Sequence, residues 1–271
     1  MTQHKTPLSL LVVATAICAG LYAVGSYATA YIPSPFGFGQ FRPAVIVPAL
    51  FGAIFGPFPA GLGAALGTLI ADSTKHGYLY PGSFLAAVPG NFAGFFIFGY
   101  ILKKRFTWTR FIWASVISLA VANAIVAFLY MFIFKALYAQ ALPFVADALT
   151  AVALGLTVYW FVTMLPFVLL VVPPLIRAIA NAMPSLVSDD LRTNSLRSEL
   201  PNTSFSLAMI IPGAIMVLIG LLTTFTALGD YTVGASNLAG KLLIELLYYI
   251  GGATLAVVGV FALLRRKKKQ S

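Results

Sequence analysis

The sequence predicts an all-α, polytopic transmembrane helix bundle, and three observations carry that prediction. The chain has 271 residues, of which 60% are hydrophobic and only 9% charged, and its mean hydropathy is +0.95. Soluble domains carry about 25% charged residues, so this chain lacks the material for a water-facing shell. Apolar runs of bilayer length recur along it, at residues 9–30, 42–56, 59–74, 84–102, 111–135, 149–176, 205–228 and 240–264, against the roughly 20 residues a crossing helix needs. The basic residues are also distributed with a sign. Thirteen of the 17 fall on one side of the alternating connections: Lys5, Lys103, Lys104, Arg105, Arg110, Arg177, Arg192, Arg197 and the run Arg265 to Lys269. The other side holds Arg42, Lys75, Lys135 and Lys241. That bias marks the cytoplasmic face and places both termini there. An even number of spans follows, and eight, give or take one, satisfies it.

The first run, from Leu10 to Ala30, is too long for the apolar core of a cleaved leader and reads as a retained span. Its lone Cys18 has no partner for an intrachain disulfide and reads as a packing residue. The second and third runs are short and are separated only by Gly56-Pro57-Phe58-Pro59, so they could form one broken unit. Small residues recur four apart in Gly52/Gly56, Gly63/Gly67 and Gly90/Gly94. In lipid, close backbone approach through small residues supplies helix packing, and packing is the first reading of these pairs. Tyr27, Tyr31, Tyr78, Tyr80, Tyr138 and Tyr231 fall near the external ends, while Trp108 and Trp113 bracket a cytoplasmic one, as interfacial belts do. The one sizeable polar stretch, 181–204, divides a six-span core (1–180) from a two-span hairpin with a basic tail (205–271).

Polar groups inside an apolar chain cost a few kcal/mol each and should face the bundle interior or a wet cavity. Arg42 and Asp72 both map to the external third, as a mutual ion pair or as a ligand clamp at the mouth of a pocket. Asn91 follows Pro89-Gly90, where the proline removes a backbone donor; it is either a ligand-binding corner or interhelical glue. Asn123, near mid-depth, reads as glue. His76 lies four residues after Asp72 and so on the same helical face, with Lys75 adjacent; loop residue and pocket rim are both open. Tyr130 and Trp160 sit in the outer halves of their spans, as core packing or as the aromatic wall of a site for a planar solute. A metal centre is not expected, because the two histidines, His4 and His76, fall on opposite sides.

Absent motifs narrow the function classes. No Gly-x-x-x-x-Gly-Lys-Ser/Thr is present to cradle ATP, nor Gly-x-Ser-x-Gly, nor His-Glu-x-x-His. With seven carboxylates, most in loops, neither acid–base catalysis nor proton-driven transport has enough candidates. No enzyme activity and no cofactor are expected, and the basic residues form no nucleic-acid-binding face.

The Ala-rich first span, Ala14-Thr15-Ala16-Ile17-Cys18-Ala19-Gly20-Leu21-Tyr22-Ala23-Val24, resembles the first helix of the S components of energy-coupling factor (ECF) transporters. Arg42-Pro43, Phe55-Gly56-Pro57, Gly61, Gly67, Asp72 and Pro89-Gly90-Asn91 resemble their second to fourth helices. The resemblance covers roughly residues 8–178, leaving the last two helices outside it. It implies a substrate-capturing membrane subunit of an ATP-driven importer for a vitamin, vitamin precursor or similar small solute. It also implies partners: a transmembrane coupling subunit and two ATPases. Gln40, Arg42, Asp72, His76, Asn91, Tyr130 and Trp160 then become the expected substrate-binding residues. Ala16, Ala19, Gly20 and Ala23 become the face that docks on the coupling subunit. A stand-alone channel or facilitator, and a membrane scaffold or sensor, are the rival readings.

Overall fold

The computed structural model describes residues 7–34, 36, 38–140, 146–194, 196, 200, 203–226 and 238–270, with the backbone alone described for 146–148, 238–240 and 266–270. Helix α1 (Leu8–Ala28) buries Ala14, Cys18, Ala19, Tyr22, Ala23 and Ser26. A single-turn 3-10 helix (Pro43–Val45) leads into α2 (Ile46–Phe55). Gly56, at φ 88, breaks the chain between α2 and α3 (Pro57–His76). Gly77, at φ 77, then caps α3 in the left-handed conformation that glycine adopts without penalty. A widened π turn (Ser83–Ala87) opens α4 (Val88–Lys103). Helix α5 (Trp108–Phe128) starts at Thr107, whose hydroxyl accepts from the Arg110 amide, and continues as a π-helical stretch to Tyr138. Helix α6 (Ala146–Ala182) is followed by a second 3-10 turn (Pro184–Leu186), the short α7 (Asp189–Thr193), α8 (Thr203–Phe225) and α9 (Leu238–Gln270).

The protein is therefore a polytopic all-α bundle. Among the described residues six segments are long and apolar enough to cross a membrane: Leu8–Ala28, Ser83–Lys103, Trp108–Tyr138, Leu149–Ala182, Thr203–Phe225 and Lys241–Arg265. Of the eight expected runs, the short pair that became α2 and α3 falls outside these six. Helix α3, with 20 residues, has the length to cross, whereas the 10 residues of α2 cover about 15 Å, half of a hydrocarbon core. It starts sunk within the bundle, at the buried Arg42. It ends at Gly56-Pro57, where a Cβ added to Gly99 would lie 2.6 Å from Pro57. Gly99 is one helical turn from the basic end of α4, so α2 reaches that side as an internal half-length helix.

Small residues set the packing. A Cβ on Gly63 would come within 2.5 Å of the Cys18 sulfur, and one on Gly67 within 2.7 Å of the Ala19 carbonyl, so α1 and α3 touch backbone to backbone. Gly90 and Gly94 do the same for α4 against Val126 and Ala122 of α5. In the remaining pair, a Cβ on Gly52 would lie 2.8 Å from the Phe98 ring, whereas one on Gly56 would meet nothing within 4 Å, and Gly56 makes the break. Between α8 and α9 the close approaches are at Gly213, Gly220, Gly252 and Gly259. That hairpin also packs on α5 and α6, and Tyr248 of α9 lies edge-on to Tyr159 of α6 at 6.2 Å.

The polar stretch after α6 is folded back onto the core. Leu191 and Val187 are buried, and the Arg177 guanidinium donates to the carbonyls of Leu191 and Arg192 at 3.1 and 3.0 Å. Asn194 donates from its side chain to the Phe106 carbonyl at 2.6 Å and accepts from the Trp108 indole at 3.3 Å.

Candidate binding cavity

A cavity of about 490 Å³ opens at the end of the bundle opposite the Lys103–Arg110 connection. Gln40, Arg42, Asp72, His76, Asn91, Tyr130 and Trp160, all seven residues expected from the sequence to bind substrate, line it. The α1–α2 connection brings Gln40 and Arg42, and the last two turns of α3 bring Asp72 and His76. Asn91 comes from α4, Tyr130 from the π-helical end of α5, and Trp160 from α6.

One wall is a charged network. Arg42 pairs with Asp72 at 2.6 Å and donates to the Thr68 hydroxyl. Gln40 donates to Asp72 at 3.3 Å and accepts from Lys75 at 3.0 Å, and Lys75 also donates to the Ala30 carbonyl at 2.6 Å. Both Arg42 and Asp72 are 8% exposed, so the ion-pair reading of these two is the observed one. Gly39, at φ 75, lets the connection pass the Trp160 ring: a Cβ there would sit 2.3 Å from the indole. The indole nitrogen in turn donates to the Gln40 carbonyl at 3.0 Å, which ties the connection to α6.

A second part of the lining is aromatic. His76 stacks flat on Tyr80 at 3.7 Å and 2°, and its Nδ1 lies 2.7 Å from the Asp72 carbonyl. The Tyr80 and Tyr130 hydroxyls are 3.1 Å apart, and Lys135 rides over the rings of Phe38, Tyr130 and Phe134. Burial pushes the Tyr80 phenol above its ordinary value. In the cavity lining, Asn123 and Ser83 carry buried polar atoms, Nδ2 and Oγ, that have no protein partner among the described residues.

Tyr80, Ser83, Phe38, Lys75, Lys135 and Asn123 line the cavity without having been assigned to it from the sequence. Asn123 had been read as glue, yet its amide nitrogen has no partner. The signal for the lysines was present, because Arg42, Lys75 and Lys135 are three of only four basic residues on the side that the charge bias depletes. Tyr80 and Ser83 follow a helix-ending glycine and have no periodicity to mark them.

The four small residues of the expected docking face divide. Ala16 and Gly20 are exposed, and a Cβ on Gly20 would meet nothing within 4 Å. Ala19 and Ala23 are buried inside the bundle. A period of 3.6 residues turns the two sets to different faces of α1, so spacing by fours alone does not place all of them on one surface. Among the described residues no group of three or more histidine, cysteine, aspartate or glutamate side chains could hold a metal ion.

The family model of the ECF-type riboflavin transporter S component matches residues 9–179. The chain belongs to that family, a family of membrane transporter subunits and not of enzymes. Comparison with curated proteins and with solved structures gave no match. The matched region ends within α6, and α8 and α9 lie outside it.

Proposed function

We propose that this chain captures a flavin-type aromatic solute from the external side and delivers it through a coupling subunit driven by two ATPases. Both termini then face the cytoplasm. The observation that carries the reading is the convergence, in one cavity of about 490 Å³, of a ring-lined wall and a hydrogen-bonding wall, within a chain of the S component family. Ligand sites typically occupy about 300–1,000 Å³ and combine apolar surface with a few placed polar groups. A planar ring system suits the Tyr80, Tyr130 and Trp160 surfaces, and Asn123, Ser83 and Asn91 supply hydrogen-bonding partners for its polar edge. The Arg42–Asp72 pair holds the α1–α2 connection and the end of α3 in place beside it. Gln40, Asp72 and Lys75 act as one wall, so each of these residues serves binding partly through its neighbours. The name of the family supports riboflavin as the first solute to test.

Titration of riboflavin into the purified full-length protein, followed by quenching of flavin fluorescence, tests this. Saturable one-to-one quenching is expected, weakened by Tyr130→Ala and by Trp160→Ala while both variants keep the wild-type elution profile. No quenching by riboflavin or any other flavin would refute the substrate class.

A further inference from the structure

The charges lining the cavity do not balance. Arg42, Lys75 and Lys135 are cationic and Asp72 is the one acidic side chain among the described lining residues. Asp72 is committed to Arg42 at 2.6 Å, which leaves two ammonium groups. Lys75 donates to neutral acceptors, the Ala30 carbonyl and the Gln40 amide oxygen. Among the described residues Lys135 meets rings, with its Nζ 5.3 Å from the Phe38 centroid, 5.7 Å from Tyr130 and 5.6 Å from Phe134. Among the described residues no carboxylate lies within ion-pair distance of either lysine. Two half-buried ammonium groups lining one cavity lose hydration, a cost that a bound anion would offset. Ordinary snorkelling would carry the Lys135 head away from the bundle into water, whereas it lies over rings that line the site. We propose that the cavity takes an aromatic solute carrying a phosphate monoester, with the phosphate held by Lys135 and Lys75 and the ring system against Tyr130, Tyr80 and Trp160.

The excess of two positive charges matches the charge of about −1.5 to −2 that a phosphate monoester carries at neutral pH. Lysine ammonium groups serve as point-charge phosphate donors. The inference deepens the flavin reading of the same site and rests on it only for the choice of first probe.

Two probe pairs test it by calorimetric titration of the full-length protein: riboflavin against flavin mononucleotide, and pyridoxine against pyridoxine 5′-phosphate. In each pair that binds, the phosphorylated member is expected to bind about tenfold or more tightly, as charged hydrogen bonds allow. Lys135→Met and Lys75→Met, which keep the apolar stem and so the packing, should each erase most of that preference. In Lys135→Met riboflavin affinity should stay within about twofold, since a neutral solute forgoes the charged contact, whereas Lys75→Met also removes the hydrogen bonds to Gln40 and Ala30 and weakens binding of both solutes. Lys135→Arg should retain the preference. Neutral members binding as tightly as phosphorylated ones overturns the proposal. So does indifference of flavin mononucleotide to both lysine variants, or failure of both phosphorylated probes to bind. Lysine-dependent binding of pyridoxine 5′-phosphate with no flavin binding upholds the anion site and rejects the flavin. Riboflavin preferred over flavin mononucleotide does the reverse.

Discussion

Arg42 and Asp72 join the α1–α2 connection to α3 through a 2.6 Å contact between two almost fully buried side chains. Removing one partner of such a pair costs about 3–5 kcal/mol, because the other charge stays buried and uncompensated. Asp72→Ala is therefore expected to lower the thermal unfolding midpoint clearly. The double variant Arg42→Met with Asp72→Leu should recover much of that loss while binding stays weakened, as unfolding curves with and without solute will show. Gly39 gives a sharper test at this scale. Gly39→Ala puts a methyl group 2.3 Å from the Trp160 ring and a side chain at φ 75. The left-handed backbone costs about 1–2 kcal/mol, and the indole must leave its place. Solute affinity is expected to fall about tenfold or more, the equivalent of 1.4 kcal/mol, with a shifted indole emission. Among single residues, the intramembrane charges were legible because lipid makes every polar group conspicuous. Tyr80, Ser83 and Gly39 were not, because their roles come from a turn and from a contact with a helix far along the chain.

Helix α1 presents two faces with opposite expectations. Its inner face meets α3 through Gly63 and Gly67, so Ala19→Leu overpacks the contact, at a cost of about 1–3 kcal/mol, and weakens fold and binding together. Gly20 points into open space, and Ala16 beside it is exposed. Gly20→Leu should thus leave solute binding unchanged and reduce uptake in cells that carry the coupling subunit and ATPases. Equal loss of binding and uptake would mean that this face belongs to the bundle itself. The hairpin of α8 and α9 supplies a second test, of our proposal that residues 205–271 form a unit appended to a binding core of 1–180. A Cβ on Gly252 falls 2.7 Å from the Gly213 carbonyl; Gly252→Val should lower thermal stability and leave solute affinity within about twofold, the distant-site behaviour expected of sites sharing no partners. Helix positions were legible from apolar run lengths alone. The half-length of α2 and the break at Gly56 were visible only as an ambiguity, since Gly-Pro signals a turn but not the depth at which it sits. The stretch after α6 read as a polar linker, and its docking through Arg177, Leu191 and Asn194 rests on long-range contacts that polarity does not encode.

The whole molecule separates its charges along the bundle. Basic residues gather at the end holding Lys103 to Arg110, and the cavity occupies the opposite end, where Arg42, Lys75 and Lys135 stand against the prevailing charge bias. Composition and charge pattern therefore carried the architecture, and the exceptions to the pattern marked the cavity. The identity of the solute was not legible, because ring-lined walls with a few polar groups suit many planar compounds. The most direct test is mass spectrometry of solute released from the protein purified out of riboflavin-supplied membranes, compared with a Gly39→Trp variant whose cavity is plugged. A flavin at one-to-one stoichiometry from the wild type, and none from the plugged variant of matching fold, is the predicted result. An equal amount from both proteins, or a wild type that carries no flavin and binds none on titration, would contradict the account.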